Sequence, residues 1–308
     1  MSVLDILLTR YQVRRNARQK AAFFQYASAI SHSAGYPCRV EELKSGLTCR
    51  NIIAGDPEKA RVIFTAHYDT CAQMLLPNLI YPQSRGKTVL AQMPLILICV
   101  LAALLFGALA ERFLGRTAGV AAAYIVYLSL FGLNFFGPAN PHTANDNTSG
   151  VAALLEIMTA LSGDQNAAFI FFDQEEMGKV GSKAYAKAHP GLTQGKVLLN
   201  LDCVGHGDDF LVIQPKNSDA ALDRLLRAAF PDENGKRAIH YSARNTNYNS
   251  DQKSFENGAA VAACRNGRWG FHVPRIHTRQ DTVCEQSNLD YVRACSLRLM
   301  NEIKGEKQ

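Results

Sequence analysis

The chain has 308 residues, of which 47% are hydrophobic, and a formal net charge of +6. That length buries a large core and suits one domain with an insertion, or two domains. The mild basic balance comes with no zinc-finger spacing and no basic stripe interleaved with aromatics, which speaks against a nucleic-acid partner, and eight cysteines without a CxxC pair speak against a disulfide framework.

From about residue 3 to 31, apolar side chains such as Leu4, Leu7, Phe23, Tyr26 and Ile30 recur at helical spacing and predict one helix, ending near SAGYP. Its apolar start, VLDILL, is broken by Asp5, with no basic residue before it and no cleavage site soon after, so no secretory leader is expected. The basic stretch from Arg10 to Lys20 is expected to be a solvated helix face, with acidic lipid headgroups as the sharper alternative. CRVEEL, CRNIIAG and ARVIFTAH then read as strands, the last nearly all apolar, as expected of a strand covered on both faces.

The middle of the chain breaks the pattern. Thr88–Ala110 runs about twenty-three residues without a charge, ERFLGR follows, and Thr117–Gly137 adds about twenty-one more. Each segment can cross a hydrocarbon core as a helix. Together they predict a transmembrane hairpin with a six-residue turn, touching lipid through residues 88–137. Arg85 and Lys87 on one side and Arg112 and Arg116 on the other leave the positive-inside count near a tie. The expectation of a cytoplasm-facing remainder therefore rests on the missing leader and the unpaired thiols.

After residue 138, helices and strands alternate. SGVAALLEIMTAL, GSKAYAKAH, DAALDRLLRAAF and NLDYVRACSLRLMNEI read as helices. AAFIFF, KVLLNLD and AAVAAC read as buried strands, and DFLVIQ as an edge-like one. The alternation predicts an α/β fold: a three-layer α/β/α sandwich on a mostly parallel, mixed sheet, with the hairpin inserted. The expected parts are residues 1–86 and 138–308 of one catalytic domain and an inserted hairpin over 87–137.

With the hairpin set aside, polar side chains gather where strands end, the place where open α/β sheets bind ligands. They are His67 and Asp69 in AHYDT, Asp146 in NDNTSG, Glu175 and Glu176 in DQEEMG, Asp202 in LNLDCVG, and His277 with Asp281 in IHTRQDT. A carboxylate cluster would repel itself unless cations relieved it, and mixed His and carboxylate ligation suits zinc. Asp69 is placed to orient the His67 imidazole. His142, His272 and Cys203 are expected not to ligate, Cys203 because it points to the far face of its strand.

At these motifs, together with SDQKSF and in this order, the chain resembles the di-zinc aminopeptidases of the bacterial leucyl-aminopeptidase type, over everything but the hairpin. The resemblance implies two zinc ions per chain, bridged by Asp146, with His67 and Asp202 completing one site and Glu176 and His277 the other. It makes Glu175 the general base for a metal-bridged hydroxide that releases N-terminal residues from peptides, and gives Asp69 the supporting position beside His67. Two departures stand out: the hairpin replaces a short link, and Gln252 stands where relatives often have histidine. The alternatives are another amide hydrolase, a dipeptidase or deacylase; a one-zinc glutaminyl cyclase of the same fold; or a membrane-anchored binding protein without activity.

Overall fold

A computed structural model describes residues 1–215 and 218–305. In chain order the elements are α1 (Val3–Arg10), α2 (Ala17–Ser33), β1 (Cys38–Ser45), β2 (Leu47–Ala54), β3 (Val62–His67), α3 (Arg85–Leu114), α4 (Arg116–Phe136), α5 (Gly150–Ala160) and β4 (Ala167–Phe172). There follow α6 (Val180–Ala188), β5 (Val197–Leu201), β6 (Asp209–Gln214), α7 (Ala220–Ala229), β7 (Arg237–Ser242), β8 (Gly258–Gly267), β9 (Gly270–His272) and α8 (Gln286–Gly305). The strands form one mixed sheet in the order β1-β2-β4-β3-β5-β8-β6-β7, with β9 paired to β8. β4, β3, β5 and β8 run parallel at its centre, and the pairs β1–β2, β2–β4, β6–β8 and β8–β9 are antiparallel.

Every residue of β3, β4 and β5 is buried, which is why these strands read as continuous apolar runs. Residue alternation sends Phe64 and Phe169 to the face covered by α1, α2, α5 and α8, and Ile63 and Ile170 to the face covered by α6. Each such side chain contributes about 1.5–3 kcal/mol on burial. The sandwich thus has the expected three layers.

Four local expectations need correcting. The N-terminal helix is two helices: α2 restarts at Asn16, whose side chain forms a capping box with Gln19. The break lets the backbone amide of Arg14 reach Thr70 Oγ1 at 3.1 Å. The basic stretch is not uniformly solvated either. Arg14 is fully buried, and its Nε donates to the carbonyl of Tyr68 at 2.6 Å, while Lys20 pairs with Asp173 at 2.5 Å. DFLVIQ is no edge: β6 is wholly buried between β8 and the half-exposed β7, a strand that the sequence pattern did not reveal. Finally, the hairpin turns at one residue rather than six. α3 runs on to Leu114, and Gly115, at φ 85°, joins it to α4.

α3 and α4 pack against each other where side chains vanish. A Cβ on Gly107 would meet Ala123 Cβ at 2.9 Å, and one on Gly119 would meet Glu111 Cβ at 2.6 Å. Elsewhere the pair is bare: in the most apolar stretch of each helix only 17% and 6% of the residues are buried. A core helix of a soluble protein would be mostly covered. Both helices are long and apolar enough to cross a membrane. At their base the chain ends come back together, with an Ala72–Ala139 bridge and a hydrogen bond from the Gln73 amide to the Pro138 carbonyl at 2.9 Å.

Candidate metal centre and active site

β3, β4 and β5 are parallel, so their carboxyl ends share one edge of the sheet. His67 is the last residue of β3, Glu175 and Glu176 follow β4, and Asp202 follows β5. Asp146 comes in from the loop before α5, and His277 from the loop after β9. Asp146 stands between the two histidines. Its Oδ1 lies 3.3 Å from His67 Nε2 and its Oδ2 3.0 Å from His277 Nε2. Asp202 Oδ1 is 3.6 Å from the same nitrogen of His67, and Glu176 Oε2 is 3.4 Å from that of His277.

The loops are held from behind. Asp281 accepts hydrogen bonds from the amides of Asn145 and Asp146, at 2.8 and 3.0 Å, and so fixes the loop carrying the central carboxylate. Asn147 Oδ1 accepts from the amides of Gly150 and Cys203, while its Nδ2 donates to the Leu201 carbonyl, tying the same loop to the end of β5. The peptide bond between Asp146 and Asn147 is cis. Gly150 is required where α5 meets β5, because a Cβ there would sit 2.3 Å from the Leu201 carbonyl oxygen. Asp69 touches His67 Nδ1 most closely through its main-chain oxygen, at 3.2 Å, with its carboxylate at 3.6 Å. That carboxylate accepts from the amides of Glu175 and Glu176, at 2.9 and 3.2 Å, and so also sets the position of the glutamate pair.

The charges are mutually dependent. Burial opposes ionisation of His277, but Glu176 and Asp146 facing it push its pKa up to about 9. Burial likewise opposes a charged His67, and the facing carboxylates of Asp146, Asp202 and Asp69 raise it well above the ordinary value. Asp146 is held below the usual carboxylate range by His277 and His67, against its own burial. Glu176 is pushed up to about 8 by burial, despite the pull of His277. Glu175 is raised well above its ordinary value by burial, against His67, with Asp251, Glu176 and Asp202 adding to the rise.

These shifts give a stability prediction for protein stripped of metal. A histidine raised from 6.5 to about 9 contributes stability that is complete below 6.5 and lost as pH rises through 9. A glutamate raised from 4.5 to about 8 also binds its proton longer in the folded state, so it too loses stability as pH rises across that window. The melting temperature in chelator should therefore fall between about pH 6 and pH 8.5, and added zinc, which displaces those protons, should flatten the slope. Thermal melts under both conditions check it, and a rising slope in chelator contradicts it.

Among the described residues, two groups could each hold a cation, every ligand atom of a group lying within 4.8 Å of the others: His67, Asp146 and Asp202, and Cys71, Glu176 and His277. The donor set suits a divalent metal. So do two orphaned acceptors lining the cleft, since Asp202 Oδ1 and Glu176 Oε1 are buried without a hydrogen-bond partner. All six expected ligand and base residues converge here. His142, His272 and Cys203 belong to neither group. Cys203 lies beyond the end of β5 at φ 57°, not on the strand, and packs in the core beside Leu211 and Ala260.

Sequence reading missed three neighbours. Cys71 had no ligand spacing to announce it. Tyr248 donates to the Asp202 carbonyl at 3.0 Å. Asp251 is fully buried, and burial pushes its carboxyl up to about 7, opposed by His67 and assisted by Asp69 and Asp202. Asp251 belongs to the SDQKSF motif, as does Gln252, which lies buried with its Nε2 unpartnered among the described residues.

Residues 128–301 match the model of peptidase family M28. The chain belongs to that family. The match starts inside α4 and takes in Asp146, Glu175, Glu176, Asp202 and His277. No curated protein matches the chain. Among solved structures, a glutaminyl cyclase from Tannerella forsythia is 20% identical with a TM-score of 0.61, over 96% of this chain and 95% of that one. A Zn-dependent exopeptidase from Parabacteroides distasonis is 16% identical (TM-score 0.59, 96% and 94%). A leucine aminopeptidase precursor from Bacteroides thetaiotaomicron is 20% identical (TM-score 0.58, 96% and 92%). At these identities the likeness is one of fold, shared by cyclases and peptidases alike.

Proposed function

We propose that the chain is a membrane-anchored, zinc-dependent aminopeptidase. The observation that supports this most is the position of Asp146, one oxygen toward His67 and the other toward His277. In this reading His67, Asp146 and Asp202 would hold one zinc ion, and Asp146, Glu176 and His277 a second. Bound zinc would supply Lewis acidity, polarising the scissile carbonyl and acidifying water. Glu175, a member of neither donor group, lines the cleft and would take a proton from the attacking water and give it to the departing amine. Asp69 and Asp281 act through the backbone, keeping Glu175, Glu176 and Asp146 in register.

The test is a panel of aminoacyl anilides and an N-terminal glutaminyl peptide, given to purified protein whose zinc has been counted. Release of the amine from anilides with two zinc ions per chain is the expected result. Ammonia release from the glutaminyl peptide with one zinc and intact anilides would replace the peptidase reading by the cyclase one.

The bare hairpin over residues 87–137 is read as an anchor inserted between the catalytic parts at 1–86 and 138–308, which face the cytoplasm in this reading. Membranes washed with alkaline carbonate should keep the protein, and its release into the supernatant would end the spanning model.

A further inference from the structure

The cleft at the metal groups has a volume of about 230 Å³, and one of its walls comes from the hairpin: Phe135, in the last turn of α4, lines it together with Ile80, Ile276 and Tyr248. An adjoining cavity of about 260 Å³ shares Phe135 and Glu176 and continues past Asn134 and Phe136 to Met177. Phe135 is held there. Arg15 Nη2 donates to its carbonyl at 2.7 Å, and α4 stops at once, the Gly137 amide bonding back to the Leu133 carbonyl at 2.9 Å. In the same turn Leu133, Phe135 and Phe136 are exposed, 51%, 41% and 76%, and continue the apolar surface of the hairpin. The mouth of the cleft is therefore flanked by the surface read as lipid-facing.

Resting on the aminopeptidase reading, we infer that Phe135 is the specificity wall of this enzyme. The side chain of the N-terminal residue packs against it, apolar residues are preferred, and the peptides taken are those lying at a bilayer surface. The cleft is smaller than the roughly 300–1,000 Å³ of pockets for drug-sized ligands, which suits one residue with its amine rather than a long stretch of peptide. The ring lines the same cleft as the metal-binding groups and offers that residue an apolar face.

The experiment uses the full chain in lipid nanodiscs loaded with zinc. Leucyl and glycyl anilides are compared for wild type, Phe135→Ala and Phe135→Trp. Phe135→Ala is expected to cut the leucine-over-glycine preference in kcat/KM by about tenfold or more, mainly through KM, as for lost apolar pocket contacts. Phe135→Trp should shift the preference toward smaller residues, which keeps the wall testable if the alanine variant does not fold. A leucyl peptide carrying a C-terminal acyl chain, bound to vesicles, should be cleaved faster than the free peptide at equal total concentration. In parallel, binding of Leu-Gly-Gly and Gly-Gly-Gly to Glu175→Gln chains, with and without the Phe135 change, is followed by calorimetry. Position-135-dependent binding without hydrolysis by wild type would end the peptidase reading and keep the wall. Hydrolysis with selectivity indifferent to position 135, or equal rates on free and vesicle-bound peptide, overturns the inference alone. Absence of both binding and hydrolysis overturns both.

Discussion

Glu175→Gln should lower turnover of a leucyl anilide by about 10²–10⁴-fold, the usual contribution of a positioned general base, and leave bound zinc unchanged. The amide keeps the size of the side chain but cannot accept a proton. Glu175 stands outside both donor groups, so the exchange removes no ligand. Its backbone amide would still bond to Asp69, so the neighbouring Glu176 should keep its place. Initial rates beside a zinc count for wild type and variant decide the matter. Wild-type turnover in the variant would remove Glu175 from the mechanism, and loss of zinc would recast it as a ligand.

Asp146→Ala should have the larger effect on the metal centre. The variant removes the carboxylate that faces both histidines, so zinc should fall toward zero per chain and activity toward background. Asp202→Ala, which touches only the His67 group, should keep about one ion. A stability readout accompanies the count. Zinc at a hundredfold above its dissociation constant stabilises the wild-type fold by about 2.7 kcal/mol per site, and this gain should largely vanish in Asp146→Ala. Two zinc ions retained by Asp146→Ala would overturn the shared-carboxylate reading.

The candidate site was more legible in the sequence than the sheet that presents it. His67, Glu176 and Asp202 each follow an apolar run, and strand ends of that kind are where such folds put their chemistry. Those runs are short-range patterns, and they carried over. What depended on distant partners did not. β7 alternates too weakly to stand out, because it is a half-exposed edge, and β6 looked like an edge until β7 covered it. Arg14 is one of several basic residues in its stretch, and nothing local says that its guanidinium turns inward to the carbonyl of Tyr68. Cys71 meets Glu176 and His277 only because three loops converge. The one-residue turn at Gly115 was hidden by the charges of ERFLGR, which read as a loop although α3 continues through most of them.

The strand order carries a consequence for how the protein is made. β2 and β3 follow each other in sequence, yet β4 lies between them, and β4 is translated only after the whole hairpin. As the chain leaves the ribosome, β3 therefore waits with both flanks unpaired, since its other neighbour, β5, comes later still. Residues 1–86 alone leave β3 without either of its sheet neighbours, and His67 has no site companions until the hairpin between has been synthesised. In the proposed topology, delivery of α3 and α4 to a membrane precedes closure of the sheet, and a nascent chain stalled between the two would expose a strand wholly buried in the finished fold to the cell's chaperones.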